Sequence, residues 1–279
     1  MPIILLKNKT SLGRLRILIN KVNLISTAFL LLYSTCVLAQ QKPVSQEDTI
    51  EYSLANAKQC MIAKQGDIAL QIADSLIQIL KKEDQYNSNL GFQIRLVYCK
   101  ALYDSSKETD VLELLWKLKD ESKQYKEWSV FAAICIEIAK MEEMVEDWND
   151  SYQCLEEARQ VIEKYSLDSL LSAYYLRYAS TKFRHLQKEG KDFYVAFSFA
   201  EKAVKAAQKY KQTFEEAEGW LVMGFINHDM ANLDHDAAKK DSAIVYLDSA
   251  IVHYEEAGDI SNYLDIFSYR AVLVYNRNN

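Results

Sequence analysis

Apolar and small residues recur along this chain at helical spacing, most clearly in the run Asp241–Ala250. There Ala243, Tyr246, Leu247, Ala250 and Tyr254 fall on one face by i, i+3, i+4, i+7 spacing. Alanine at 243 and 250 lets another helix approach closely. The same trio, apolar or small at 0, +4 and +7, recurs at Ala196/Ala200/Ala203, Ser151/Leu155/Ala158, Val111/Leu115/Leu118 and Ala69/Ala73/Leu76. These starts lie 42, 40, 45 and 47 residues apart. One helical hairpin cannot bury its apolar faces alone, so self-similarity at this period predicts stacked helix pairs, each covered by its neighbours.

The pattern places helix pairs at about 49–64 with 68–82, 89–103 with 109–122, 127–145 with 149–165, and 169–186 with 193–210. A fifth pair contains Trp220 in its first helix and the Ala243 trio in its second, with a polar insertion expected between them from Asp229 to Lys240. A sixth first helix, at about 260–275, lacks a second. Its residues Tyr263, Leu264, Phe267 and Ala271–Tyr275 form an apolar stripe, and Asn276-Arg277-Asn278-Asn279 reads as a turn towards a further helix. An exposed stripe of that length implies a truncated part of a longer protein, or a helix that binds a partner or a second copy of the chain.

The first helix of the fifth pair reads Trp220-x-x-Met223-Gly224-x-x-Asn227. It resembles the tetratricopeptide (TPR) signature Trp-x-x-Leu-Gly-x-x-Tyr, and the turn Lys64-x-Gly66-Asp67 is also TPR-like. The resemblance covers roughly residues 50 to 275. It departs from the family in spacings longer than the usual 34 residues, in having Trp with Gly in a single first helix, and in lacking the repeat-end proline. It implies an all-α, right-handed superhelical solenoid of antiparallel helix pairs, about five and a half repeats long. The runs Tyr246-Leu247-Asp248-Ser249-Ala250 and Tyr254-Glu255-Glu256-Ala257-Gly258-Asp259 also resemble the extracytoplasmic repeat regions of some bacterial sensor kinases and transcription regulators. That implies an exported, non-catalytic protein-protein interaction module, the sensory or input part of a signalling system. A free-standing periplasmic scaffold or chaperone-like adaptor is the alternative.

Composition fits long helices. Proline occurs only at positions 2 and 43, and beyond residue 39 Gly66, Gly91, Gly190, Gly219, Gly224 and Gly258 are sparse punctuation, too few for the tight turns of an all-β fold. Residues 1–21 are basic, and Val22–Ala39 are largely apolar, ending in Val37-Leu38-Ala39. Residues 1–39 therefore read as a secretory signal cleaved before Gln40, 40–48 as a polar linker with Ser45 as a helix cap, and 49–279 as the repeat domain. An uncleaved anchor is the other reading of the apolar run, and would be the chain's one link to a membrane. Cys36 raises a lipid-anchor reading, but Leu32-Tyr33-Ser34-Thr35 matches that signal poorly. Processing leaves 28 basic against 39 acidic residues, a net charge near −11. Such a surface argues against a nucleic-acid partner and favours a protein or peptide.

Candidate chemistry is sparse. Cys60, Cys99, Cys135 and Cys154 lie among apolar residues without Cys-x-x-Cys spacing; an even count permits disulfides in an oxidising compartment, and Cys135 with Cys154 are the nearest candidates. Asn227-His228-Asp229 and Asp234-His235-Asp236 place imidazoles and carboxylates around the expected insertion, so a metal-dependent enzyme using the His228–Asp236 region is a remote alternative. No nucleophile elbow, phosphate loop or His-Glu-x-x-His is present. The sequence thus assigns no catalytic residue, cofactor or metal, and Glu142/Glu143, Glu156/Glu157 and Glu255/Glu256 read as solvated faces. Eighteen tyrosines suit a contact surface. On the first helices of repeats three to five, Lys140, Met144, Ser180, Arg184, Phe225 and His228 are expected to line a concave groove for a partner segment.

Overall fold

The computed structural model describes residues 46–105, 111–189 and 193–278. The expected export signal and most of the linker lie outside the described residues. Ile50–Asn279 form one unit. The described helices are α1 (Gln46–Ile62), α2 (Gly66–Lys82), α3 (Asn89–Asp104), α4 (Val111–Gln124), α5 (Trp128–Met144), α6 (Trp148–Tyr165), α7 (Leu171–Glu189), α8 (Tyr194–Tyr210), α9 (Thr213–Asp234), α10 (Ala237–Ala257) and α11 (Ile260–Asn278), with a 3₁₀ turn at Asp168–Leu170. Among the described residues there is no strand.

The seam trios are what the helices pack through. All fifteen positions are buried, none more than 6% exposed. Leu115, Leu155 and Leu247 are fully buried, each contributing roughly 1.5–3 kcal/mol relative to exposure. Alanine fills most of the other positions because a larger side chain would hold the neighbouring helix away. Gly224 extends the same logic across the fifth pair: a Cβ there would stand 2.9 Å from Leu247 Cδ2, so glycine lets α9 cross α10 at close range.

The turns explain how so few glycines suffice. Eight helix ends among the described residues place one residue in the left-handed region, and seven of these are not glycine: Lys64, Asp84, Lys126, Glu146, Ser166, Lys211 and His235, with φ of 52–67°. In each case the next N–H donates to the carbonyl five residues back, as Gln65 does to Cys60 at 2.8 Å and Asp259 to Tyr254 at 2.9 Å. At three junctions the following residue is an aspartate that caps the next helix. Asp147 accepts from Asp150 N–H at 3.1 Å, Asp236 from Ala238 N–H at 2.9 Å, and Asp259 from Asn262 N–H at 3.0 Å.

This device removes the expected insertion in the fifth pair. The polar stretch Asp229–Lys240 is helical except at His235-Asp236, because His235 closes α9 and Asp236 opens α10. Polarity there marks an exposed helix end, not a loop. Likewise Asn276–Asn278 continue α11 and do not form a turn. The helix α1 starts at Gln46, inside the stretch assigned to the linker.

Consecutive helices pack against each other, and the odd-numbered helices also touch, α3 with α5, α5 with α7 and α7 with α9. The odd helices therefore line the inner side of the array. Gln59 of α1 donates to the Ala257 carbonyl at the end of α10 (3.2 Å). At the far end, Ile266 of α11 is buried against Leu247, Ala250 and Tyr254, while Ile260, Leu264, Phe267, Val272 and Tyr275 are exposed. All four described cysteines are free thiols. Burial pushes the Cys99 and Cys154 thiols up to about 12, and Cys135 is also raised, which makes them inert packing groups.

Candidate partner-binding groove

The inner side of the array carries a cavity of about 570 Å³ between the C-terminal end of α5 and the helices α7, α9 and α11. This lies within the roughly 300–1,000 Å³ usual for binding clefts. Its apolar floor includes Phe183, Leu221, Val222, Phe225 and Tyr269. Glu218, Leu221, Val222, Phe225 and Asp229 come from one stripe of α9 at helical spacing, so a single helix supplies both floor and acidic rim. Arg184 and Lys188, one turn apart on α7, form the opposite basic rim. Phe225 meets the Tyr269 ring edge to face, with centroids 5.2 Å apart.

One buried carboxylate fixes the wall between α5 and α7. Glu143, 3% exposed, accepts hydrogen bonds from Thr181 Oγ1 (2.7 Å), Ser180 Oγ (3.2 Å) and Arg177 Nη1 (3.2 Å), and pairs with Arg184 Nε (3.0 Å). Its neighbour Glu142 is also buried, so this pair is not the solvated face its sequence suggested. The helix α5 is inner and covered on both sides, and its carboxylates find partners on adjacent helices where Lys-rich context had implied water. The Glu156/Glu157 pair on α6 is divided: Glu156 pairs with Arg159 at the surface as expected, whereas Glu157 accepts from the buried Lys119 (2.9 Å).

A second ion network continues along the inner wall. Glu137 pairs with Lys100 (3.2 Å) and Lys140 (3.6 Å). Burial would raise the Glu137 carboxyl, but Lys100, Lys140 and Arg177 outweigh it and hold it at about 2. Lys100 is raised in turn, chiefly by Glu137, against its own desolvation. The buried Tyr254 donates to Glu218, and its phenol is pushed up by burial and by that carboxylate.

Of the six residues expected to line a groove, Met144, Ser180, Arg184 and Phe225 meet at this cavity. Lys140 lies outside its lining, on Glu137 and 5.9 Å from the Tyr103 ring centre. His228 is also outside, with Nδ1 at 2.8 Å from Tyr269 Oη and Nε2 at 3.2 Å from Asn232 Nδ2. It therefore braces α9 against α11. Phe183, Leu221, Val222 and Tyr269 were missed. The α9 residues could have been found by running the helical period back from Phe225, whereas Tyr269 depends on how α11 docks.

The His228–Asp236 region does not converge on one point. His235 closes α9, Asp236 caps α10, and Asp234 pairs with Lys239. Among the described residues, three ligand-type side chains come within 4.8 Å of one another at Glu142, Asp147 and Asp150. These have structural duties: Trp116 Nε1 donates to Glu142 at 3.2 Å, and Asp147 caps α6. Burial raises the Glu142 carboxyl, and the nearby Asp150 and Asp147 add to that. The carboxylates around the cavity are likewise held, Glu146 by Lys188 and Asp229 by Gln187. The arrangement suits recognition of a shaped, mixed-polarity ligand. No described helix is long and apolar enough to cross a membrane.

These features define an all-helical, TPR-like repeat array. No protein-family model matches the chain, and no curated protein sequence does. Solved structures do. The apo form of RapI is 16% identical, with 93% of each chain covered and a TM-score of 0.53. Aspartyl phosphate phosphatase F from Bacillus subtilis is 14% identical over 85% of this chain and 61% of that one, with a TM-score of 0.52. A Rap protein complexed with competence and sporulation factor is 16% identical over 82% of this chain and 67% of that one, also at 0.52. At these identities the likeness shows the shared fold.

Proposed function

We propose that this chain is a non-catalytic protein-interaction module that seats a segment of a protein or peptide partner in the inner cavity between α5, α7, α9 and α11. The observation that carries this reading is the apolar floor of Phe183, Leu221, Val222 and Phe225 set between a basic rim, Arg184 and Lys188, and an acidic one, Glu218 and Asp229. Such a cleft selects an apolar anchor flanked by basic charge facing Glu218 and Asp229, since Arg184 and Lys188 on the α7 side are already paired with Glu143 and Glu146. The Rap protein of similar fold that is solved in complex with competence and sporulation factor supports the reading, since an array of this fold is seen there with a bound factor.

In this reading the basic and apolar stretch of residues 1–39 exports the chain, and residues from Gln40 onward act in the periplasm or cell envelope. There the module serves as the input part of a signalling system. A free-standing scaffold uses the same groove, and the two differ in whether a membrane-spanning signalling partner binds. The exposed stripe Ile260, Leu264, Phe267, Val272 and Tyr275 favours a second contact through α11, with a second copy as its occupant.

Selection of a random peptide library on residues 40–279 tests the groove. Enriched peptides are expected to share an apolar anchor and to bind Phe225→Asp at least tenfold more weakly, while Val245→Asp on the exposed side of α10 leaves binding unchanged. Equal loss in both variants, or none in either, overturns the proposal.

A further inference from the structure

Four carboxylates line the inner cavity, and two of them, Glu218 and Asp229, pair with no lysine or arginine among the described residues. Glu143 pairs with Arg184 and Glu146 with Lys188, so the basic residues of the α7 rim are already matched. Glu218 accepts from Tyr254 Oη and Asp229 from Gln187 Nε2, neutral donors that fix each carboxylate in place and leave its charge intact. The His228 imidazole stands 3.7 Å from Asp229, beyond hydrogen-bond range. A carboxylate in a partly apolar cleft attracts a cation more strongly than one in open water, because the cleft screens it less.

Glu218 and Asp229 are eleven residues apart on α9, which at about 1.5 Å of rise and about 100° of turn per residue puts them on one stripe about 16 Å apart. Leu221, Val222 and Phe225 fill the interval. The stripe therefore runs acid, apolar, apolar, acid along one helix, and no single basic residue reaches both ends. An extended chain crosses about 16 Å in roughly five residues, at about 3.3 Å each. A helix crossing it needs about eleven residues and, at about 10 Å across, occupies roughly 1,300 Å³, whereas the cavity holds about 570 Å³. Building on the reading that this cavity seats a partner segment, we propose that the segment is an extended stretch with two basic residues roughly five positions apart and an apolar residue between them. One basic side chain pairs with Glu218 and the other with Asp229, while the apolar one lies on Val222 and Phe225. Glu218 and Asp229 are then the specificity residues, and their separation sets the spacing of the two charges.

Fluorescence anisotropy of labelled peptides with blocked termini, titrated with residues 40–279, tests this. The peptide Arg-Ala-Leu-Phe-Ala-Arg is expected to bind saturably, and replacing either arginine by glutamine to weaken it about tenfold. The shorter Arg-Leu-Phe-Arg is expected to bind no better than the single-arginine peptides. Glu218→Gln and Asp229→Asn keep an oxygen for Tyr254 and Gln187 to donate to, so both variants are expected to fold and to bind the six-residue peptide about tenfold more weakly. Each variant is also expected to become indifferent to one of the two arginines, a different one in each case. Should one variant not fold, the other decides through its own arginine. No saturable binding of the six-residue peptide, equal affinity after loss of an arginine or after shortening, or indifference to the carboxylate substitutions overturns the proposal. The groove reading then stands if library selection still yields peptides that Phe225→Asp weakens, and falls with the proposal if it yields none.

Discussion

Replacing Glu143 by glutamine tests whether the wall of the groove is held by one buried carboxylate. The substitution keeps the shape and one carbonyl oxygen but puts an amide where a charge met two guanidinium groups and two hydroxyls. Glu143 is 3% exposed and Thr181 fully buried, so the contacts between them are screened little by water. The Arg177 side chain is 18% exposed and counts as partly interior, whereas Arg184 at 56% is a surface partner. Breaking a buried pair by removing one member costs about 3–5 kcal/mol, and an exposed pair about 0–1 kcal/mol. Glu143→Gln should therefore destabilise by about 3 kcal/mol, and Arg184→Gln by less than about 1 kcal/mol. Urea unfolding followed by tryptophan fluorescence suits the question, because Trp148 stacks on His185 of α7 with centroids 5.0 Å apart and reports the α6–α7 junction. Repeat arrays can unfold in parts, so hydrogen exchange of α5 and α7 amides is the companion measurement, with protection lost there first. A cost below about 1 kcal/mol for Glu143→Gln, or equal costs for the two variants, refutes the reasoning.

Three further outcomes are expected. Glu137 lies well below its ordinary value of 4.5, so it stabilises the fold above that pH and loses this contribution as pH falls towards about 2. Acid unfolding of Glu137→Gln should accordingly be less steep between these values than that of the parent chain, and identical acid profiles contradict the ion network. Lys126→Gly, at φ 60°, should raise stability by about 0.5–1 kcal/mol, because relief of left-handed strain exceeds the added chain entropy; an unchanged or lower thermal midpoint contradicts it. Ala200→Trp or Ala250→Trp should destabilise by roughly 1–3 kcal/mol or more through overpacking of fully buried seams, and parental midpoints for both refute the seam.

The helical array was legible because its seams use small residues at fixed offsets, and that signal survives wherever packing demands it. Ala196, Ala200 and Ala203 are a pattern no surface helix needs. The turns were harder to read, since Lys126, Glu146 and His235 adopt a conformation usually signalled by glycine, and only backbone geometry reveals them. That is why Asp229–Lys240 looked like an insertion. The groove was partly legible: Ser180, Arg184 and Phe225 follow from which face of an inner helix is free. Glu143 was not, because its partners Arg177 and Thr181 sit more than thirty residues away. Chain periodicity carries no information about which side chains meet across repeats.

The central claim is that the inner cavity seats a partner segment, and hydrogen exchange on a complex with a peptide selected for binding tests it most directly. Slowed exchange is expected in the turns of α5, α7 and α9 that carry Met144, Ser180, Arg184, Leu221 and Phe225, with α4, α8 and α10 unchanged. Protection confined to those outer helices or to α11, with the cavity-lining turns of α5, α7 and α9 unaffected, contradicts it.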